Sequence, residues 1–471
     1  MGSNGISVKI DFSYIKTEVI QYMKPEVSAG RVAACEKLKT LFDAGTFAEF
    51  GELVTRPDST MQEGVICGCG AVEGRLVYAY YEDISSLGGA VDTASLRKLK
   101  NLYAMAQKNG APIVSYLSSA GASVAQGGEL LAVYGELFAD CARLSGDVLQ
   151  ISVVNGVCTG SQAILASMSD FVVAAGDHCL SFAPASVLKA EGGCTCSKGI
   201  SVKCADEAQA TATVRKLITM LPSNCEEEVE IAADDVNRVA DISVTSGASA
   251  AAAAVADFGA LIEINPETCE CITTYIAAVN GKACGFVAVN SACGAVAFRK
   301  AASMVRFCDA FGLPVVTFVN ADGFSAANEA KGGDVATAAA EYVSVIANAT
   351  TAKIAFICGD ACGAAYTVFA SKALYDVVYA LEGSVISVMP PVSAVEFLKN
   401  DIIAASSNPK AERAALVEAY KTNEASPSAA AALGLIDAVI SPADAVKYIA
   451  FAAEMMAGKR VAPSFKKRAS K

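Results

Sequence analysis

Two segments of very small residues could stabilise negative charge on a reacting oxygen. NGVCTGSQAILASMSDFVV begins at Asn155, and GDACGAAYTVFASKALYDVVYA begins at Gly359. Small side chains let other atoms approach the backbone closely, and N–H groups at a helix N-terminus carry partial positive charge. Because two adjacent N–H groups of this kind can bind an oxyanion, we predict catalytic donor pairs at Gly160-Ser161 and at Ala364-Ala365. The alternative is that the small residues only make room for a helix packed against a strand.

The chain offers few side chains for other kinds of catalysis. It contains one histidine, His178, so a histidine-dependent serine or cysteine nucleophile would have to use that residue. Its context, AAGDHCLSF, favours a turn or the edge of a sheet instead. The 17 cysteines include three C-x-C pairs but no C-x-x-C, the spacing that is usual in zinc sites. We therefore predict reduced cysteines in the interior, no bound metal, and a cytoplasmic protein.

Composition disfavours two further classes of protein. The 471 residues carry a net charge of −12, with a sequence pI near 4.8, whereas nucleic-acid-binding domains usually have a basic face. The chain is 53% hydrophobic and 18% charged, which is typical of globular proteins. It contains no uninterrupted apolar run of about 18 residues, so a membrane-spanning helix is not expected.

Four landmarks recur in the same order, which indicates an internal duplication. The recurring segments are LFDAGTFAEF with VADFGALIEI, AVEGRLVYAYYED with AVNGKACGFVAVN, LRKLKNLYAMAQKNGAPIVSYLSS with FRKAASMVRFCDAFGLPVVTFVNA, and the two small-residue segments. Gly281 follows Gly74 by 207 positions, and Gly363 follows Gly160 by 203 positions. Chance does not explain a nearly constant offset over four segments, so we predict two copies of one domain.

Each copy has the pattern of a repeated β–β–α unit. A hairpin that turns at Glu73-Gly74 or Asn280-Gly281 is followed by a helix, a buried strand, a second helix, and a strand that ends at the small-residue segment. We predict domains at residues 1–245 and 246–471. The Ala-rich residues 246–256 are interpreted as a linker or a surface helix between them.

Taken in order, these segments resemble one known family over about residues 30–459. The chain resembles the carboxyltransferase (β) subunits of biotin-dependent acyl-CoA carboxylases and decarboxylases, a two-domain branch of the crotonase superfamily. In addition to the segments above, SLGGAVDTASLRKLKNL and AAALGLIDAVISPAD carry the resemblance. It implies an α/β fold with two tandem duplicated crotonase-like ββα-spiral domains. It also implies a homo-oligomer, from dimer to hexamer, with active sites between the first domain of one subunit and the second domain of another.

The resemblance implies transfer of a carboxyl group between biotin and a short acyl-CoA, such as propionyl-CoA or methylmalonyl-CoA. Gly160-Ser161 would hold the acyl thioester oxygen as an enolate, and Ala364-Ala365 would polarise the ureido oxygen of biotin. Biotin would supply the base, which agrees with the single histidine. The residues implied in substrate binding are Gly88, Gly89, Gly121, Ala122, Thr159, Gly323, Phe324, Tyr366 and Thr367.

The implied partners are separate chains. The sequence has no Met-Lys-Met biotinylation site and no Gly-rich ATP loop, so we expect a biotin carboxyl carrier protein and a biotin carboxylase or a membrane decarboxylase subunit. Three positions depart from the family pattern: Ser123 replaces an arginine, Asp322 lies in an altered loop, and Thr367 follows the second pair where the family often has aspartate. These departures leave open an inactive paralogue that binds CoA esters or acts as a scaffold. A hydratase or hydrolase of the crotonase type is disfavoured because the second pair repeats the first.

Overall fold

The computed structural model describes residues 25–56, 59–190, 199–330 and 333–461, which form two halves with one eight-stranded sheet each. The strands of the first sheet are β1 (Ala48–Phe50), β2 (Val65–Val72), β3 (Arg75–Glu82), β4 (Ile113–Ser119), β5 (Gln150–Thr159), β6 (Phe171–Ala175), β7 (Cys179–Ser181) and β8 (Val202–Cys204). Those of the second are β9 (Leu261–Ile264), β10 (Ile272–Val279), β11 (Lys282–Val289), β12 (Val315–Ala321), β13 (Lys353–Cys362), β14 (Val377–Leu381), β15 (Val385–Ser387) and β16 (Ala438–Ile440).

Several helices occupy matching places in the two halves. In the first half they are α1 (Ala29–Lys39), α2 (Thr93–Asn109), α3 (Gly128–Leu144), α4 (Ser161–Ser167), α5 (Ala185–Ala190) and α6 (Glu207–Met220). In the second half they are α7 (Ala248–Val255), α8 (Ala295–Ala310), α9 (Ala326–Ala330), α10 (Val335–Asn348), α11 (Ala364–Phe369), α12 (Pro391–Ala405), α13 (Pro409–Asn423), α14 (Pro427–Ala432) and α15 (Ala445–Met456). Among them, α2 is equivalent to α8, α3 to α10 and α4 to α11.

The two sheets have the same topology strand by strand. The first has the order β1-β2-β3-β4-β5-β6-β8 with β7 paired to β5, and the second has β9-β10-β11-β12-β13-β14-β16 with β15 paired to β13. In each sheet the first three strands are antiparallel and the later pairings are parallel. The predicted duplication is therefore visible in the fold.

The repeated acidic residue before each hairpin has a structural role. Asp43 accepts hydrogen bonds from the backbone N–H groups of Glu73 and Gly74, at 3.2 and 3.0 Å. Asp257 accepts the equivalent bonds across the turn of β10 and β11, at 3.1 and 2.8 Å. Both hairpin turns have positive φ at their two central residues, so their N–H groups point away from the ladder and need such an acceptor.

The two halves share one interior. A single cluster of buried apolar residues contains side chains of α1 and α6 in the first half and of β10, α8 and α10 in the second. The rings of Phe171 and Phe307 meet at 4.8 Å across this boundary, and the N–H of Asn265 donates to the carbonyl of Ser201 at 2.7 Å. The two repeats therefore pack as one body.

The Ala-rich segment forms a helix with one face buried and the other, at Ala250 and Ala253, exposed, so its interpretation as a linker is wrong and the alternative of a surface helix is confirmed. Ala248, Ala251, Ala252 and Val255 of α7 are fully buried against the second sheet. Alanine is favoured there because a small side chain lets the helix axis approach the strands closely. The guanidinium of Arg238 binds the carbonyl groups of residues 254–256 at the end of this helix, at 2.6 to 2.7 Å. The domain boundary at residue 245 stays a prediction.

A buried ion pair fixes α2 to the start of β2. Lys98 Nζ lies 2.7 Å from the Glu63 carboxylate and donates to the carbonyl of Val65 at 3.0 Å. Arg31 and Glu49 complete the cluster, since Arg31 contacts both carboxylates. Both Lys98 and Glu63 are almost fully buried, which requires that their charges be paired.

No helix of the described residues is long and apolar enough to cross a membrane.

Candidate active site

The first small-residue segment forms a tight turn between β5 and α4. Gly160 has φ 63° and ψ −131°, a conformation that a residue with a Cβ adopts only under strain. Its N–H donates to the carbonyl of Phe182, just after β7, at 3.1 Å. Parallel pairing of β5 with β7 places that carbonyl next to the turn.

The second segment repeats this turn between β13 and α11. Gly363 has φ 53° and ψ −120°, and its N–H donates to the carbonyl of Ser387 at 2.8 Å. A Cβ at this position would lie 2.7 Å from the carbonyl oxygen of Val388, so glycine is required for space as well as for conformation. The two turns therefore have nearly the same backbone conformation, and each glycine N–H is bonded at the end of the paired strand, to the residue after β7 in the first half and to the last residue of β15 in the second.

Each turn contains adjacent N–H groups that make no hydrogen bond within the described residues; the first residue of each pair is partly exposed and the second is buried. Ser161 and Gln162 begin α4, Ala364 and Ala365 begin α11, and within the described ranges none of these four N–H groups has an acceptor. Ser161 in the first turn is therefore equivalent to Ala364 in the second, and Gln162 is equivalent to Ala365. Gly160 corresponds to Gly363, and its N–H is already bonded to Phe182. A donor role for Gly160 stays a prediction, and this hydrogen bond argues against it.

The structure brings four of the predicted first-half residues together. Gly121 has φ 104°, and a Cβ there would lie 3.3 Å from the carbonyl oxygen of Thr159. The Ser119 hydroxyl donates to the carbonyl of Gly89 and accepts from the N–H of Gly121. Ala122 pairs with Val91 in an isolated bridge beside them. Thr159, Gly89, Gly121 and Ala122 thus surround the approach to the first turn.

The fifth predicted residue, Gly88, lies further out. It is exposed, has φ 65°, and a Cβ there would meet no atom within 4 Å. Its substrate-binding role stays a prediction.

The predicted second-half residues fall into two groups. Tyr366 and Thr367 lie in α11, where the Tyr366 hydroxyl donates to the carbonyl of Leu435 at 2.7 Å and Thr367 is exposed. Gly323 and Phe324 lie in the loop after β12, where the ring of Phe324 packs against Phe298 at 4.9 Å. Tyr366 and Thr367 lie at the second turn, while Phe324 is partly buried in the hydrophobic core.

A cleft of about 870 Å³ opens at the second turn. Its apolar side chains are Ile386, Val388, Leu433 and Leu435, together with alanines of α11 and α14. Its polar groups include Tyr366, Thr367, Tyr420, Asn423 and Glu424. The last three come from the end of α13 and just after it, and the sequence interpretation missed them. No sequence motif marks these positions, because only the folded structure brings the end of α13 next to the second turn.

The residues that depart from the family pattern have local structural roles. Gln126, three residues after Ser123 in the same loop, accepts a hydrogen bond from the N–H of Thr93 at 2.7 Å, at the first turn of α2. Ser123 donates its N–H to the carbonyl of Val91 at 2.9 Å. Asp322 is exposed beside Asp360, whose carboxyl pKa is raised by burial and by this neighbouring charge. None of these contacts involves the N–H groups at the two turns.

His178 lies in the bend between β6 and β7, which confirms the interpretation as a turn residue. One ring nitrogen is 2.8 Å from the carbonyl of Gly176. No cysteine of the described residues is joined in a disulfide, and no group of three metal-binding side chains among those residues could hold an ion. The redox state of the cysteines stays a prediction.

Glu82 is a buried carboxyl group near the first half of the site. It ends β3, is 1% exposed, and accepts a hydrogen bond from the N–H of Ser118 at 3.1 Å. Burial raises its pKa to about 8. At neutral pH the folded protein therefore holds a neutral carboxylic acid at this position.

We expect Glu82→Gln to make stability less dependent on pH. The folded protein keeps the Glu82 proton between about pH 5 and pH 8, whereas the unfolded chain loses it, so the free energy of unfolding falls as pH rises through this window. Relative to wild type, the variant should gain on the order of 3 kcal/mol between these two pH values. Urea unfolding of both proteins at the two ends of the window measures the gain. If the free energies of unfolding of wild type and variant differ by the same amount at both pH values, Glu82 is ionised in the folded protein.

A match to the carboxyl transferase domain spans residues 25–470. The chain belongs to the carboxyl transferase family. The α subunit of methylmalonyl-CoA decarboxylase from Propionigenium modestum is 30% identical to this carboxyltransferase chain over 484 residues, covering 94% of this chain and 93% of that subunit. The carboxyltransferase subunit of propionyl-CoA carboxylase from Haloferax mediterranei is 30% identical over 486 residues, covering 93% of each.

A solved structure extends the likeness to three dimensions. The crystal structure of the transcarboxylase 12S hexamer, with hydrolysed methylmalonyl-coenzyme A bound, superposes with a TM-score of 0.83. It is 28% identical in sequence, and the alignment covers 92% of this chain and 91% of that one. These findings confirm the predicted family, the two-domain crotonase-like fold and the prediction of a carboxyltransferase enzyme.

Proposed function

We propose that this protein transfers a carboxyl group between biotin, attached to a separate carrier protein, and a short acyl-CoA. The observation that carries the proposal is the pair of equivalent turns, each of which presents two adjacent N–H groups without an acceptor in the described fold. Carboxyl transfer develops negative charge on one oxygen of each substrate. Two sets of preorganised N–H donors meet that requirement.

The two donor pairs divide between the substrates. Ser161 and Gln162 hold the thioester oxygen of the acyl-CoA as an enolate, and Ala364 and Ala365 polarise the ureido oxygen of biotin. The mostly apolar cleft at Ala364, with a few polar groups from α13 and the residues after it, suits a compact ring system with one polar edge. Biotin would carry the carboxyl group and, when the acyl-CoA is carboxylated, would supply the base. The chain therefore needs to hold charge at two oxygens and needs no histidine.

Relatives support a short, branched acyl group. Methylmalonyl-CoA is the substrate named for the relative from Propionigenium modestum and the ligand named for the transcarboxylase structure. The relative from Haloferax mediterranei is a propionyl-CoA carboxylase. We propose the propionyl-CoA and methylmalonyl-CoA pair as substrates. A biotin carboxyl carrier protein and a biotin carboxylase or a membrane decarboxylase subunit are the proposed partners.

Conversion of methylmalonyl-CoA in the presence of free biotin tests this function. The purified chain should form propionyl-CoA, detected by mass spectrometry, at a rate that depends on biotin. Malonyl-CoA in a parallel reaction reports the preference for the acyl chain. Binding of methylmalonyl-CoA without biotin-dependent turnover would favour the alternative, an inactive CoA-ester-binding subunit. No binding and no turnover would contradict the proposal.

A homo-oligomer is also proposed, because the two proposed donor pairs lie in different halves of the chain and the similar transcarboxylase 12S structure is a hexamer. The helices α12 and α13 pack on each other, and α13 has no buried residue. On α12, Phe397 is 80% exposed, and Leu398 and Ile402 are also exposed. Exposed apolar side chains clustered on one helix are typical of a protein contact surface. We propose that α12 contacts another subunit.

Phe397→Asp is expected to weaken the oligomer, because it places a charge within this apolar surface. Light scattering should show wild type well above the monomer mass of 48.2 kDa and should show the variant shifted toward that mass. Phe258→Asp is the matched control, since Phe258 is 97% exposed in the loop before β9. A wild-type chain that is monomeric at micromolar concentration would contradict the oligomer. A Phe397→Asp oligomer as stable as wild type would exclude α12 as the contact.

A further inference from the structure

An exposed phenylalanine lies directly beside the first turn. Phe182 is the residue after β7 and is 76% exposed. Thr159, at the end of β5, pairs with Ser181 of β7, so Phe182 lies opposite Gly160. The Phe182 carbonyl accepts a hydrogen bond from the N–H of Gly160 at 3.1 Å. This bond holds the backbone of Phe182 against the turn whose next residue, Ser161, has one of the proposed donor N–H groups.

Two further apolar side chains are exposed at the same turn. Val157 lies three positions before Gly160 in β5, and Ile164 donates its N–H to the carbonyl of Gly160 at 3.3 Å. Both side chains are exposed. A Cβ at Gly160 would meet no atom of the described residues within 4 Å, so this side of the turn is open. Apolar side chains beside an open space are typical of the apolar part of a ligand site.

The second turn has polar side chains at the equivalent positions. Val157 and Asp360 are both the eighth residue of the equivalent strands, β5 and β13. Ile164 and Thr367 are both the fourth residue of the equivalent helices, α4 and α11. Asp360 and Thr367 are also exposed. The first turn therefore has hydrocarbon side chains where the second has a carboxylate and a hydroxyl, which suits an apolar acyl group at the first turn and the polar ring of biotin at the second.

Phe182 itself has an equivalent in the second repeat. The short strands β7 and β15 pair with β5 and β13, and Phe182 and Val388 are the residues that directly follow them. Val388 lines the cleft at Ala364. Because the two sheets have the same topology, Phe182 has the corresponding position at the first turn. The ring of phenylalanine is larger than the side chain of valine, so it leaves less room at the first turn.

We infer that the ring of Phe182 contacts the acyl group of the bound acyl-CoA and determines which acyl chains this site accepts. The inference rests on the proposed function, in which the N–H groups of Ser161 and Gln162 hold the thioester oxygen. The acyl carbons follow directly on the thioester carbon, so they extend over the surface beside this turn. Contact with the ring removes apolar area of both groups from water, which favours binding. A longer acyl chain needs the space that the ring occupies, so the site favours short chains.

The affinity for a series of coenzyme A esters tests this inference without biotin or turnover. Isothermal titration calorimetry measures the dissociation constants of coenzyme A, propionyl-CoA, butyryl-CoA and hexanoyl-CoA. We expect Phe182→Ala to weaken the binding of propionyl-CoA by about 10-fold, which corresponds to the loss of about two buried CH₂ groups. Coenzyme A has no acyl group and should bind wild type and variant equally well. The preference of wild type for propionyl-CoA over hexanoyl-CoA should fall by at least about 10-fold in the variant.

Three control variants separate the ring of Phe182 from other effects. Phe182→Leu keeps a large apolar side chain and should retain most of the affinity for propionyl-CoA. Phe258→Ala removes a ring that is exposed in the loop before β9 and should change none of the dissociation constants. Val388→Ala alters the equivalent residue at the second turn and should leave the affinity for propionyl-CoA unchanged. Circular dichroism and light scattering establish that each variant is folded and assembled like wild type.

Failure of this inference can be distinguished from failure of the proposed function. If Phe182→Ala weakens coenzyme A and propionyl-CoA equally, the ring contacts the coenzyme and the inference is wrong. It is also wrong if the variant keeps the chain-length preference of wild type, or if the variant dissociates, which would place the ring at a contact between subunits. In these cases wild type still binds acyl-CoA, so the proposed function stands. If wild type binds neither coenzyme A nor propionyl-CoA, the proposed function fails and the inference fails with it.

Discussion

Replacing Ala364 by proline is expected to lower the rate of carboxyl transfer by about 100- to 1,000-fold, the usual effect of removing one donor from an oxyanion site. Proline has no N–H, so the change removes one of the two proposed donors on the biotin side. Ala364 is the first residue of α11, where proline is well tolerated because its fixed φ suits the helix and the N–H has no helical partner. It is also only partly buried, so the larger ring has room.

The acyl-CoA side has an equivalent test. Ser161 is the first residue of α4 and is also partly buried, so Ser161→Pro removes one donor there with the same local geometry. We expect a similar loss of rate. The two variants should differ in binding, since Ser161→Pro should weaken the affinity for methylmalonyl-CoA and Ala364→Pro should leave it nearly unchanged.

Matched controls separate the N–H group from the side chain. Ser161→Ala and Ala364→Ser change each side chain but keep each N–H, so both should retain nearly full activity. Circular dichroism and light scattering establish that all four variants are folded and assembled. Full activity in a folded Ala364→Pro protein would mean that the second turn only packs a helix against a strand. In that case the duplicated turns would not be a duplicated catalytic device.

Replacing Glu63 by alanine is expected to lower the free energy of unfolding by about 3–5 kcal/mol, the range found when one partner of a buried ion pair is removed. The change leaves the ammonium of Lys98 buried at 3% side-chain exposure without its nearest carboxylate. Glu49 remains at 4.0 Å, on a side chain that Arg31 already contacts. Urea unfolding measures the loss.

Two further variants establish whether the unpaired buried charge causes this loss of stability. Glu129→Ala breaks the exposed pair with Arg97, where both side chains are at least 60% exposed, and should cost no more than about 1 kcal/mol. The double variant Glu63→Gln, Lys98→Met removes both charges and should be more stable than Glu63→Ala. If Glu63→Ala unfolds at the same urea concentration as Glu129→Ala, the buried pair does not hold α2 to β2.

The sequence by itself was enough to determine the duplicated, short-range features of this protein. The Gly residues of the two turns and the hairpins at Gly74 and Gly281 all depend on neighbouring residues. Gly281, for example, has φ 74°, a local conformation that favours glycine. Since neighbouring residues determine local backbone conformation, these elements and the family resemblance were predicted correctly.

The tertiary structure alone decided the features that depend on contacts between distant segments. The Gly160 N–H is bonded because β7 brings the Phe182 carbonyl beside it, so the neighbouring N–H groups of Ser161 and Gln162 are the unpaired ones. The cleft at Ala364 includes Tyr420 because α13 folds back over the second turn. The Ala-rich segment is a helix with one buried face because a sheet covers that face, and composition cannot distinguish such a helix from a linker. Lys98 and Lys300 are each the sixth residue of equivalent helices, α2 and α8, yet only packing shows that Lys98 is paired with a carboxylate and that, within the described residues, Lys300 has no carboxylate within 4.0 Å of its Nζ.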